Sequence, residues 1–185
     1  MLFDIIKKRR SIFPVQYNGE AIAKEDIEKV LEAANWAPNH KKTEPWRFKV
    51  IQGDARARLG EFLSETYQRL DPKPSSVKIR KLRENPTLAG AIIAICMQRD
   101  PKESLPEWEE IAAVAMAVQN MWLLCTEMGI GSYWSSPGLI KYMDEFFHLN
   151  EGEKCLGFFY MGNFDGDFPD AERRPINFKT EWINE

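Results

Sequence analysis

Gly90-Ala91-Ile92-Ile93-Ala94-Ile95-Cys96-Met97-Gln98 is apolar until its last residue. Successive side chains of a strand point to opposite faces, so a run with no alternation is buried on both. It reads as a central strand. On its C-terminal side, beyond Asp100-Pro101 and an acidic turn, Trp108 to Met128 forms the longest helix. Ile111, Val114, Ala115, Val118, Met121, Trp122, Leu124 and Cys125 cover more than half its circumference, which demands packing on several sides. Glu109, Glu110, Gln119, Asn120 and Glu127 interrupt it too often for a membrane span. Gly129-Ile130-Gly131 supplies a glycine C-cap, and Ser132 to Gly138 reads as a short strand ending in a turn. Leu139 to Phe147 is a short helix, Cys155 to Met161 a second buried strand, and Gly162 to Arg174 a polar loop.

On the N-terminal side, Asp71 to Asn85 opens with Pro72, Pro74, Ser75 and Ser76 and continues with alternating Lys and Arg. The pattern fits a loop and a solvated helix, a candidate mobile flap. Lys78, Arg80, Lys81 and Arg83 are separated by Val77, Ile79 and Leu82, which marks an exposed helix face rather than a polyanion patch. Gly53-Asp54 starts an amphipathic helix carrying Leu59, Phe62, Leu63 and Tyr67. Trp46 to Gln52 alternates as a strand does. A helix from Lys24 to Asn35 repeats Ile27, Val30, Leu31 and Ala34 behind acidic Glu25-Asp26, and residues 2–10 form a short amphipathic helix with cations in the last turn. The whole is one α+β domain over residues 1–185.

Composition narrows the function. The 185 residues are 44% hydrophobic and 29% charged, with a net charge of −3, which gives no global case for nucleic acid or an acidic membrane surface. With no h-region at the N-terminus and no apolar run of ~18 residues, the chain reads as cytoplasmic, with no membrane partner. Cys96, Cys125 and Cys155 sit apart inside apolar runs and read as small core residues. Two histidines, His40 and His148, without an HExxH or CxxC pattern, leave no metal site.

Polar chemistry concentrates in four places. Ala33-Ala34-Asn35-Trp36-Ala37-Pro38-Asn39-His40-Lys41-Lys42-Thr43-Glu44-Pro45-Trp46-Arg47-Phe48 sets an Asn, a His and two Lys between two prolines and two tryptophans. Proline restricts itself and its neighbour, so the loop is stiff, as a binding loop should be. Arg9-Arg10-Ser11 ends the first helix, Trp134-Ser135-Ser136 follows the long one, and Arg173-Arg174 lies near the end. Paired guanidiniums with a hydroxyl suit a phosphate monoester, since Arg presents a planar fork and keeps its charge. Only one of two adjacent residues near a helix end is sure to point inward, and Arg10 is taken as the phosphate contact with Arg9 as the fallback.

Those segments, in that order and spacing, together with Gly157-Phe158-Phe159-Tyr160-Met161-Gly162, resemble the FMN-dependent nitroreductase family, in particular its small YdjA-like branch. The resemblance implies a three-layer α/β/α sandwich around a mostly antiparallel sheet, and a homodimer with one FMN at each subunit interface. NADH or NADPH would be the electron donor and a small nitroaromatic, quinone-like or other conjugated molecule the acceptor, reduced by two electrons in ping-pong turnover. From the family pattern, Arg9, Arg10 and Ser11 hold the FMN phosphate and ribityl chain, and Trp36 and His40, with Pro38 of the same loop, contact FMN. Trp134, Ser135 and Ser136 line the isoalloxazine ring, and Arg174 completes the phosphate site. No protein group is nominated as catalytic, because hydride transfer requires no protein acid or base. Lys42-Thr43-Glu44-Pro45-Trp46 departs from the family's Asn-x-Gln-Pro-Trp, so amide contacts to the flavin do not carry over. Lys41 or Lys42 is left as a source of positive charge near the ring. An FMN carrier or sensor without turnover is the alternative that keeps the same residues.

Ile176, Phe178, Thr180 and Trp182 alternate with Asn177, Lys179 and Glu181. That is the pattern of a strand with one buried face, added to its own sheet or exchanged with a partner.

Overall fold

The computed structural model describes residues 1–169 and 171–184. Nine regular elements build it: α1 (Leu2–Lys8), α2 (Lys24–Asn35), β1 (Trp46–Ile51), α3 (Ala55–Leu70), α4 (Ser76–Leu88), β2 (Ala91–Gln98), α5 (Glu107–Glu127), β3 (Gly131–Ser135) and β4 (Glu153–Gly162), with short 3₁₀ turns between them. The four strands form one antiparallel sheet in the order β1-β2-β4-β3. The apolar run at 90–98 is indeed an interior strand, fully buried from Ala91 to Met97.

Alternation along β2 explains the layering. Ile93, Ile95 and Met97 face α2 and α5, where Val30, Ala34, Val114, Val118 and Met121 meet them. Ile92, Ala94 and Cys96 face α3, meeting Leu59, Leu63 and Tyr67, with Leu139 and Met143 of the 3₁₀ segment Gly138–Glu145 closing that layer. Burial of each large aliphatic contributes roughly 1.5–3 kcal/mol, so both faces of this strand stabilise the sandwich. The result is the expected α/β/α arrangement. Segment 71–85 is less loose than its composition implies. Its helix α4 lies directly against α3, where a Cβ on Gly60 would overlap the carbonyl of Arg83. All three cysteines are buried and free.

Two features position the edge of the sheet. Gly129, at φ +72°, ends α5, and Ile130 N–H reaches back to Cys125 O at 2.8 Å, which turns the chain straight into β3. In β4 a bulge falls opposite Ile95-Cys96, and Gly157 there has φ +150°. A Cβ at Gly157 would overlap the Trp134 indole, so glycine is what lets that ring cross β4.

The tail departs from its expected form. Residues 176–179 form a 3₁₀ turn rather than part of a strand, and 180–184 are irregular. Phe178 is 77% and Trp182 83% exposed. Residues 171–184 are all exposed, so neither the ladder nor the buried face expected of 176–182 forms within the single chain. No helix among the described residues is long and apolar enough to cross a membrane.

Candidate functional site

The end of α1 is held against the second half of α5. The Arg9 guanidinium lies 4.5 Å from the centre of the Trp122 ring, and Trp122 Nε1 donates to Arg10 O at 3.0 Å. Burial lowers the Arg9 pKa, and the positive charges of Arg173 and Arg10 lower it further. Like charges gathered on a partly desolvated site oppose one another until an anion neutralises them. The two arginines therefore separate in role. Arg10 is engaged in structure: its Nε donates to Pro169 O at 3.2 Å and its NH1 to Lys7 O at 2.6 Å, tying α1 to the loop after β4. It also borders a cleft of about 360 Å³ with Lys8, Thr126, Phe164, Asp167 and Phe168. Arg174 is exposed, and the C-terminal cation whose charge reaches Arg9 is its neighbour Arg173.

Ser11 is exposed, and the next residue pairs with the sheet, with Ile12 N–H donating to Ser132 O at 3.1 Å. This places the chain after α1 along the open edge of β3. β3 and β4 are in register from Gly131–Gly162 to Ser135–Phe158; since Ser132 O is turned away from β4 to Ile12, by alternation the backbone groups of Trp134, two residues on, point away from β4 as well. Trp134 itself is half-buried, with Nε1 donating to Leu156 O at 3.4 Å at the bulge. Ser135 is half-buried and Ser136 exposed at the end of the strand. Cations, an aromatic wall and an open strand edge thus share one end of α5.

The central loop sits at the other end. His40 Nδ1 lies 2.7 Å from Glu109 Oε2, and Lys41 Nζ donates to Ser104 O at 2.8 Å. Lys41, Lys42 and Glu44 have φ of 52°, 55° and 42°. Three non-glycine residues in the left-handed region cost of order 1 kcal/mol or more each. Hydrogen bonds hold them there: Glu44 N–H donates to Asn39 Oδ1 at 3.1 Å and Thr43 Oγ1 to His40 O at 3.3 Å. Stiffness was legible from the prolines, but no glycine announced the left-handed turn. Pro38 is exposed, and Trp36 is 78% exposed with Nε1 donating to Glu32 Oε1. Glu109 and Trp122 are separated along α5 by about 20 Å at 1.5 Å per residue. One chain therefore does not bring His40 to Arg9.

The nitroreductase family model matches residues 6–163, most of the chain. The chain belongs to the nitroreductase family. Among its nitroreductase relatives, Escherichia coli (strain K12) YdjA, which carries a provisional NAD(P)H nitroreductase name, is 30% identical over 140 residues, or 75% of each protein. A nitroreductase-like family protein from Bacillus cereus has the same fold, with a TM-score of 0.87, 28% identity, and coverage of 100% of this chain and 97% of that one. A provisionally named nitroreductase from Desulfovibrio desulfuricans, solved in complex with FMN, superposes with a TM-score of 0.76 at 23% identity, covering 99% of this chain and 96% of the other. At that identity the likeness speaks for the nitroreductase fold alone.

Proposed function

We propose that this protein is an FMN-dependent NAD(P)H oxidoreductase that passes two electrons by ping-pong turnover to a nitroaromatic, quinone or other conjugated acceptor. The observation that carries the proposal is the cation cluster of Arg9, Arg173 and Arg10 at the end of α1, next to the open edge of β3. The donor set fits FMN: guanidiniums for a phosphate of about −2 charge, a hydroxyl at Ser11, and strand-edge backbone groups beside an indole for a flat, polar-edged ring. Bound there, FMN would supply the hydride chemistry, accepting two electrons from the nicotinamide and releasing them to the acceptor. The residues bind and orient. Arg9 and Arg173 would neutralise the phosphate, the Trp134 backbone would meet the ring's polar edge, and the Trp134 indole would exclude water from one side.

A second copy completes the site in this reading. Leu2, Phe3 and Ile6 of α1, Trp108 and Met116 of α5, and Phe178 and Trp182 of the tail are exposed apolar residues that a second copy would cover. A two-fold dimer about α5 sets one chain's His40 end beside the other's Arg9 end, so that Trp36, Pro38 and His40 would reach FMN from the partner. The tail would then cross to the second subunit.

Steady-state kinetics test the reading. With NAD(P)H and a nitroaromatic varied together, double-reciprocal plots are expected to be parallel. Intersecting lines would refute ping-pong turnover, and a yellow protein with no turnover would establish the carrier alternative instead.

A further inference from the structure

Two of the three buried cysteines meet across the sheet. Cys96 of β2 is the register partner of Cys155 of β4, beside the bulge. Both belong to the apolar layer of Ile92, Ala94, Leu139 and Met143, on the face of the sheet away from α5. Residues directly opposite in an antiparallel pair have Cα atoms ~4.5–5.5 Å apart, inside the ~4.4–6.8 Å that a disulfide spans. We propose that Cys96 and Cys155 are a peroxide-reactive dithiol that closes to a cross-strand disulfide, a chemistry that needs no flavin.

Their surroundings give the two thiols different parts. Cys155 borders a cavity of about 550 Å³ that Leu149, Asn150 and Glu153 also line, whereas Cys96 is fully buried. A small hydroperoxide entering the cavity therefore meets Cys155 first. Cys155 is also the readier thiolate. A hydrogen bond from the Cys96 thiol lowers its pKa most; burial opposes this, the Gly157 backbone and Lys49 assist it, and Glu153 opposes it. The same bond, followed by burial, raises the Cys96 thiol. The charges of Lys49 and Glu153 largely offset one another, since the two are paired at 2.7 Å. Cys125 lies in the opposite layer, against α5, and burial pushes its thiol up to about 12. Reactivity follows the thiolate and access, so Cys125 is an internal control.

Cys155 attacks one oxygen of hydrogen peroxide as its thiolate. An S–O bond forms, the O–O bond breaks, and the other oxygen leaves as water with the proton of the Cys155 thiol. Cys96 then attacks the sulfenic sulfur; an S–S bond forms, the S–O bond breaks, and the displaced hydroxyl leaves as a second water with the Cys96 proton. The thiols lose two electrons and two protons, and the peroxide gains them.

Brief exposure of the native protein to hydrogen peroxide, then alkylation in denaturant and mass spectrometry, tests this. The product is expected to lose two hydrogens, to keep a single alkylatable thiol at Cys125, and to yield a linked peptide pair containing Cys96 and Cys155. Dithiothreitol should return all three thiols. Cys96→Ser should stop at a Cys155 sulfenic acid that dimedone traps, and Cys155→Ser should slow oxidation of Cys96 about tenfold or more. The wild-type peptide map decides the pairing even where a serine variant fails to fold. Three alkylatable thiols after peroxide, a crosslink through Cys125 or between chains, or a wild type that stops at oxidised Cys155 with Cys96 still free overturns the dithiol. Oxidation of Cys155→Ser at the wild-type rate does the same.

Discussion

Replacing Arg9 with Met separates a binding cation from a structural one, because the two roles predict opposite signs. Methionine keeps an unbranched apolar stem for the Trp122 ring, over which the guanidinium now lies at 4.5 Å. It removes a charge that is penalised first by burial and then by Arg173 and Arg10. In the cofactor-free protein Arg9→Met should therefore leave the melting temperature unchanged or raise it. FMN binding should weaken by one charge-assisted contact, ~1.5–3 kcal/mol, or roughly 10- to 150-fold in Kd. Flavin fluorescence quenching reads the second quantity and thermal unfolding the first. Riboflavin, which lacks the phosphate, should bind both proteins alike. A variant that melts lower while holding FMN as tightly as the wild type would show that Arg9 is structural, and the phosphate assignment would fall.

Truncation after Arg174 should leave the melting transition of the core intact, since Ile176, Phe178 and Trp182 are exposed in the single chain. It should weaken dimerisation and FMN retention together, and a truncated protein that sediments as a flavin-loaded dimer contradicts the proposed role of the tail. Glu110→Ala should cost about 3–5 kcal/mol in chemical denaturation, because this buried carboxylate pairs with Arg99 and accepts from the Asp100 N–H at 2.9 Å. A loss below 1 kcal/mol would refute that. For Glu153, burial raises the pKa, but the Asn150 N–H and Lys49 outweigh it and the net direction is down from 4.5. A lowered folded pKa contributes stability above the unfolded value that is lost as pH falls through the folded one. Glu153→Gln should therefore flatten the acid limb of the stability curve below pH 4.5 relative to the wild type.

Much of the sandwich was legible in the sequence because its elements carry local signals. Lys24–Asn35 has an acidic start and a clean apolar period, and the unbroken run at 91–97 needs both faces covered. The tail was not, since alternation identifies an apolar face without saying what it packs on. The site was legible as a set of residues and not as an arrangement. Arg9 and Arg10, like Arg173 and Arg174, are adjacent and chemically equal, and only Trp122 and the carbonyl of Pro169 in the loop after β4 distinguish the first pair. Lys78, Arg80, Lys81 and Arg83 read as an exposed helix face, and all four are exposed on α4, because charges spaced between Ile79 and Leu82 leave only one stripe of the helix to pack.

The central claim is that the cations at the end of α1 and the edge of β3 hold a flavin that a nicotinamide reduces. Anaerobic addition of NADH or NADPH to the purified, FMN-loaded protein measures this in one half-reaction, without any acceptor. The account predicts that the yellow colour bleaches in proportion to the nicotinamide added and returns when a nitroaromatic or quinone follows. A protein that binds FMN and stays yellow with both nicotinamides, or one that remains colourless because it takes up no FMN, would contradict it.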